Sequence, residues 1–250
     1  MNFAMTDSEI IIDSHSHWGP SITLGTDVTT GELLRQMRDA SVDYVAIIPF
    51  PSTAIDNNYI NEKILEESRK IEKFIPYHYI REDYDREGFD PIPCAYCGGK
   101  WHWMRGWQDS ASNYKVLDDA LLPALIEKIR LIDKPVIFEE ELRFTEMFVD
   151  LAKDMKIIIP HLGLLGGNPY DFLRSFKDSE NVYFDTALGS RETIHDFIKT
   201  VGPQRVLFGS DVPFGSMKSE LSKVLSLPLN NDDKALILSG NFIRLTGFMP

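Results

Sequence analysis

The chain is poor in cysteine, poor in positive charge and without a long apolar run. Its two cysteines, Cys94 and Cys97, stand as Cys-x-x-Cys. A reducing compartment leaves such a pair without a structural disulfide, and a zinc ribbon needs a second pair of soft ligands that the chain does not have. Pro91-Ile92-Pro93 and Gly98-Gly99 flank the motif, where a thioredoxin-like role needs a helix start. The pair therefore reads as two ordinary thiols in a loop. Lysine and arginine number 26 against 38 acidic residues, a net charge of −12. That argues against a general nucleic-acid or anionic-membrane partner and favours a soluble protein that meets a small molecule. The apolar runs are too short to span a bilayer, and Met1 to Glu9 lacks the apolar segment of a signal peptide. A cytoplasmic location is expected, with a homo-oligomer left open. No Gly-x-Gly-x-x-Gly follows the first strand, and the stretch Gly163–Gly167 imitates one only weakly, which disfavours a nucleotide-binding protein.

No Pro/Gly/Ser-rich or charge-rich linker divides the 250 residues, so 1–250 reads as a single domain. Short β-branched or aromatic runs alternate with amphipathic stretches. Strands are expected at Ile10–Ser14, Tyr44–Pro49, Phe74–Ile80, Lys100–Met104, Pro135–Glu139, Lys156–Pro160, Val182–Asp185 and Arg205–Gly209. Helical patterns fall at Gly31–Ala40, Asn58–Lys70, Asp118–Leu131, Arg143–Met155, Pro169–Lys177, Arg191–Val201, Ser216–Leu225 and Asp232–Leu238. This alternation predicts an α/β fold, the (β/α)8 TIM barrel, ahead of an open doubly wound sheet. The third unit departs from the pattern. Arg81 to Gly99 is rich in Asp, Pro, Tyr and Gly, and reads as an irregular loop replacing the helix after strand 3.

What the chain does have is chemistry at strand ends. In Asp13-Ser14-His15-Ser16-His17 the two histidines are two apart, so on a strand they share a face and form half of a transition-metal site. Glu139 ends the fifth strand, His161 the sixth and Asp211 the eighth. In a parallel barrel all these ends converge on one rim, where such enzymes keep their active sites. A charged residue behind four apolar ones is costly to bury unless it is paired or metal-bound. Lys100 and His102 share a face of the fourth strand, and His78 lies on the third; with Arg105 they are candidates to contact substrate. Arg81 and Arg143 also lie near strand ends, where they could hold a carboxylate. Trp18, Trp101, Trp103 and Trp107 hint at a flat organic substrate or at packing.

The segments Ile12-Asp-Ser-His-Ser-His17, Pro160-His-Leu-Gly163, Asn181-Val-Tyr-Phe-Asp-Thr186, Val206-Leu-Phe-Gly-Ser-Asp-Val-Pro-Phe214 and Gly240-Asn-Phe-Ile-Arg-Leu245 together resemble the amidohydrolase superfamily, in its amidohydrolase-related branch of hydrolases, lactonases and decarboxylases. The resemblance runs from about Ile10 to Leu245. It implies that His15 and His17 bind a metal, that Asp211 binds it and serves as a base, and that His161 is a ligand or a catalytic acid/base. The family commonly ends its fifth strand in a histidine ligand; here that place holds Glu139, still a competent ligand for zinc or manganese. In some members a fourth-strand lysine is carboxylated and bridges two metals, a role Lys100 could take.

The expected function is that of a metal-dependent hydrolase acting on an ester, lactone or amide through activated water, with Asp211 and His161 as catalytic groups. The expected ligands are His15, His17, Glu139, His161 and Asp211, holding one or two divalent ions, zinc ahead of manganese. The alternatives are a metal-dependent, non-oxidative decarboxylase (a lyase) of an aromatic or unsaturated acid, and a non-catalytic barrel that keeps a metal or ligand site.

Overall fold

The computed structural model of the protein describes residues 10–54, 59–82, 88–105 and 108–250. Eight strands form one parallel sheet in chain order: β1 (Ile12–His17), β2 (Tyr44–Ile48), β3 (Phe74–Tyr79), β4 (Gly98–Trp101), β5 (Val136–Phe138), β6 (Ile157–Ile159), β7 (Val182–Asp185) and β8 (Val206–Leu207). Main-chain bonds complete the ring between the first and last strands. The Ser14 amide donates to the Phe208 carbonyl at 2.9 Å, and the His17 amide to the Val212 carbonyl at 2.8 Å. This is the (β/α)8 barrel that the alternation predicts.

Residue alternation builds two cores. In β2, Val45 and Ile47 face the helical shell, while Ala46 and Ile48 fill the barrel interior. Val136 and Phe138 against Ile137, and Ile157 and Ile159 against Ile158, divide in the same way. Side chains on a strand alternate between faces, so a run apolar on both faces belongs to a sheet covered on both. The shell comprises α1 (Thr30–Ala40), α2 (Tyr59–Lys70), α3 (Leu122–Ile132), α4 (Leu142–Leu151), α5 (Pro169–Phe176), α6 (Arg191–Val201) and α7 (Met217–Leu225). Side-chain oxygens of Thr29, Asn168, Ser190 and Ser216 accept from first-turn amides and fix the starts of α1, α5, α6 and α7. A last helix, α8 (Asn241–Thr246), inserts Phe242 and Leu245 into the interior cluster. The segment expected as one helix at 232–238 is a short helix, Asn231–Ala235, that loosens to wider turns over Leu236–Gly240 before α8.

After β3 no helix occurs among the described residues up to β4, as the loop-like composition predicts. The fourth strand itself is displaced from its expected span, Lys100–Met104, because Gly98 and Gly99 are strand residues rather than loop flanks. A Cβ at Gly98 would stand 2.4 Å from the Tyr77 ring, so glycine is what lets β4 lie against β3. Two small antiparallel hairpins, Gly19–Ser21 with Thr26–Val28 and Met104–Arg105 with Gln108–Ser112, extend the loops after β1 and β4.

Candidate active site

The C-terminal ends of β1, β7 and β8 meet at the seam of the barrel. His15, His17 and Asp211 are all buried there and offer ligand atoms within 4.8 Å of one another. Asp211 Oδ1 lies 3.5 Å from His15 Nε2 and 3.3 Å from His17 Nε2. The Asp211 amide donates to the His15 carbonyl at 2.7 Å. Asp211 and His161 both leave their strands in the left-handed region, at φ 52° and φ 41°. Such conformations cost energy and persist where surrounding structure enforces them, commonly at functional sites.

One carboxylate that the sequence reading left without a role organises this cluster. Asp185, at the end of β7, accepts from His15 Nδ1 at 2.9 Å and from the His161 amide at 2.8 Å. A carboxylate can only accept, so a neutral His15 ring carries its proton on Nδ1 and keeps the lone pair on Nε2. That nitrogen, together with Nδ1 of His17 and Nδ1 of His161, is buried without a hydrogen-bond partner. Buried polar atoms are ordinarily satisfied. A lone pair aimed at Asp211, with the opposite nitrogen bonded to a carboxylate, is the arrangement that orients a histidine on a metal. The donor set therefore fits a divalent ion held by His15, His17 and Asp211. Nothing packs closer behind it than glycine allows, since a Cβ at Gly209 would meet His15 at 3.1 Å and Asp185 at 3.2 Å.

Charges follow the geometry. Burial pushes the Asp211 carboxyl up, but His15, His17 and His161 outweigh it and hold the pKa below its ordinary value. Burial lowers the pKa of His17 and of His161 against the pull of nearby carboxylates, which favours neutral imidazoles. His15 is the reverse: Asp211 and Asp185 overcome the effect of burial and raise it. Asp13 does not join the cluster. It accepts from the amides of His15 (3.1 Å) and Ser210 (2.9 Å) and from the hydroxyl of Ser16 (2.8 Å), a staple between β1 and the turn after β8. Burial pushes its carboxyl up to about 6.

Glu139 stands apart from the three-residue group. Its Oε2 accepts from the buried ammonium of Lys100, and its Oε1 lies 3.6 Å from His161 Nε2. Burial alone would raise its pKa, yet Lys100, His102 and His161 hold it well below the usual carboxylate range. His102 Nδ1 donates to the Glu139 carbonyl. A cavity of about 170 Å3 opens over these groups, bounded on one side by His17, His102, Glu139 and Asp211 and on the other by Leu24, Phe50, Pro51, Leu165 and Phe214. His17 stacks on Phe50 with ring centroids 4.4 Å apart and meets the edge of Phe214 at 5.8 Å.

Other candidates lie elsewhere. His78 donates from Nδ1 to the Pro91 carbonyl at 2.8 Å and packs on Tyr96, holding the loop after β3 rather than lining the cavity; burial pulls its pKa down to about 4. Trp101 and Trp103 stack on each other at 3.7 Å, fully buried in the core. Trp18 packs at the core's edge and donates to Thr30 at 3.1 Å. Arg81 donates to the Ala54 carbonyl at 3.1 Å, and Arg143 is exposed. Arg105 belongs to a described hairpin, but its side chain, like all of Trp107, lies outside the described residues.

Residues 140–248, which carry His161, Asp185 and Asp211, match the family model described as Amidohydrolase. Among solved structures, 2,6-dihydroxybenzoate decarboxylase complexed with 2,6-dihydroxybenzoate superposes with a TM-score of 0.77 at 15% identity, covering 96% of this chain and 100% of that one. A zinc-bound amidohydrolase from Burkholderia multivorans gives 0.73 at 14% identity, with 96% and 100% covered. A Pseudomonas putida protein provisionally named a 2-pyrone-4,6-dicarboxylic acid hydrolase gives 0.72 at 17%, with 97% and 99% covered. At these identities the likeness is one of fold. Comparison with curated protein sequences gives no match.

Proposed function

We propose that this chain is a metal-dependent hydrolase of an ester, lactone or amide bond in a small organic molecule. The observation that carries the reading is the donor count. His15, His17 and Asp211 supply three ligands on the rim of an open cavity. Structural zinc sites are closed by four protein ligands, whereas three with an open position is the pattern of catalytic ones. A divalent ion at such a position lowers the pKa of water towards about 7 and polarises a substrate oxygen. Zinc suits the two imidazoles and one carboxylate, with manganese second; the Burkholderia multivorans neighbour binds zinc.

The chain's own groups complete the chemistry. Asp211, kept ionised by the histidines around it, accepts the proton of the attacking water. His161, the other acid/base at the rim, stabilises charge on the substrate oxygen or protonates the leaving group. Phe50 and Phe214 form a wall against which the apolar body of the substrate lies. A cavity near 150 Å3 lined by apolar groups accepts benzene, so about 170 Å3 suits a substrate of roughly one ring.

The aromatic wall also favours a second reading, non-oxidative decarboxylation of an aromatic acid, the activity named for the dihydroxybenzoate decarboxylase of the same fold. One experiment separates them. Zinc- or manganese-loaded protein is offered single-ring esters, lactones, amides and aromatic acids, with formation of the hydrolysed carboxylate product and CO2 release followed together. Carboxylate product without CO2, lost on chelation and in Asp211→Asn, supports hydrolysis. CO2 release alone assigns the second reading. Metal binding with neither activity leaves a binding barrel.

A further inference from the structure

The fourth and fifth strands carry a buried ion pair that the three-residue cluster does not use. Lys100 pairs with Ile137 in the β4–β5 register, so Glu139, two residues on, presents its carboxylate to the same face. The Lys100 side chain has no exposure, and its ammonium pairs with Glu139 Oε2. An ammonium out of water must be matched by a counter-charge. That oxygen is therefore committed, and the remaining one, Oε1, faces Nε2 of His161 at 3.6 Å. The main chain is fixed as well, because His102 donates to the Glu139 carbonyl.

Resting on the reading above that this rim is a metal-dependent active site, we propose that Glu139 is a positioning residue for His161, locked in place by Lys100, and that it is not a metal ligand. The arrangement has the form of a relay of orientation: Lys100 holds Glu139, a wall of the cavity, and Glu139 sets the His161 ring through Nε2. Hydrogen bonds in catalytic groups are commonly long before substrate arrives, and 3.6 Å is a contact of that kind. A carboxylate that replaces a histidine at the end of a fifth strand need not inherit its role once a lysine has claimed one of its oxygens.

Two measurements on the intact protein test this. The first is zinc affinity, by competition with a chelator. Glu139→Gln is expected to stay within about tenfold of the unmodified protein, below the cost of losing an outer partner of a ligand, whereas Asp211→Asn loses more than about 100-fold. A loss in Glu139→Gln as large as that in Asp211→Asn makes Glu139 a ligand and overturns the proposal. The second is the nitrogen chemical shifts of the histidine rings in metal-free protein labelled at its six histidines. Glu139→Gln and Lys100→Gln are expected to shift the ring nitrogens of His161 while those of His195, on α6, hold, and Glu139→Asp to restore part of the original signal. Unchanged His161 signals in both variants reduce the pair to a structural one and overturn the proposal. Should Lys100→Gln fail to fold, the double variant Lys100→Met/Glu139→Gln, which removes both charges, gives the same readout. Failure of zinc to bind the unmodified protein sinks the metal reading, and the ring signals still decide the role of Glu139.

Discussion

Two halves of one rim use similar residues to opposite ends. On the β1–β7–β8 side, His15, His17 and Asp211 converge, and Nε2 of His15 and Nδ1 of His17 are buried without a hydrogen-bond partner. On the β4–β5 side, Glu139 is partly buried at the end of its strand, and its positive partner is built in as Lys100. The first half presents a donor set that fits a cation; the second has supplied its own. On the readings proposed above, a carboxylate at this rim holds a metal or positions a histidine according to what the neighbouring strand places beside it.

Removing the built-in cation is the largest break in that contrast. Lys100→Met strands the Glu139 carboxylate, and breaking a buried pair from one side costs about 3–5 kcal/mol. Urea unfolding should show a loss of that order, with most of it recovered in Lys100→Met/Glu139→Gln. Recovery that fails would mean that Lys100 stabilises through packing instead. The other half breaks through its orienting residue. Asp185→Asn removes the acceptor on His15 Nδ1, and loss of such a partner costs about 10–100-fold in metal affinity, measurable by the same chelator competition.

How much of this contrast the sequence discloses depends on where each contact comes from. The barrel is legible because its cause is local. Val45-Ala46-Ile47-Ile48 alternates between shell and interior within four residues, and Val182–Asp185 and Arg191–Val201 begin and end where their apolar periodicity does. β4 is not, since Gly98 is a strand residue only by virtue of the Tyr77 ring beside it. Among the candidate residues, the convergence of His15, His17 and Asp211 can be read from their places behind apolar runs. Asp185 occupies an equivalent place, yet its role is a bond to a histidine 170 residues earlier. The pairing of Lys100 with Glu139 needs the register of two strands, and nothing in either segment states it. His78 shares the signal of a pocket histidine, but the Pro91 carbonyl that takes its proton sits in a loop without periodicity.

Smaller effects sharpen the same comparison. Glu140, beside Glu139 but facing away from the three-residue cluster, accepts from the Trp103 amide at 2.6 Å. Burial pushes its carboxyl from 4.5 up to about 8. A folded-state value above the unfolded one means that the folded chain holds a proton the unfolded chain has released, so stability is greatest below about 4.5 and declines as pH rises towards about 8. Glu140→Gln keeps an acceptor and removes the titration; its thermal midpoint should fall less between pH 5 and 8 than that of the unmodified protein. An equal fall in both would place the pH dependence elsewhere. Smallest is the aromatic wall. Phe214, 52% exposed, adds little to the core, and an aromatic contact is worth about 0.5–1.5 kcal/mol. Phe214→Leu should raise KM for a ring-bearing substrate by about two- to tenfold; an unchanged KM would remove Phe214 from the binding surface.

The seam of the barrel sets an order of events for the living chain. Proteins are made from the amino end, and a growing chain carries His15 and His17 almost from the start. Their companions Asp185 and Asp211 follow nearly two hundred residues later, and the main-chain bond that seats Asp211 reaches back to His15 itself. Two histidines of one strand, two residues apart, offer only a loose grip to any ion met on the way. On the metal reading proposed above, loading is therefore the last act of assembly, and a chain cut short before its eighth strand lacks the carboxylate that joins the two histidines.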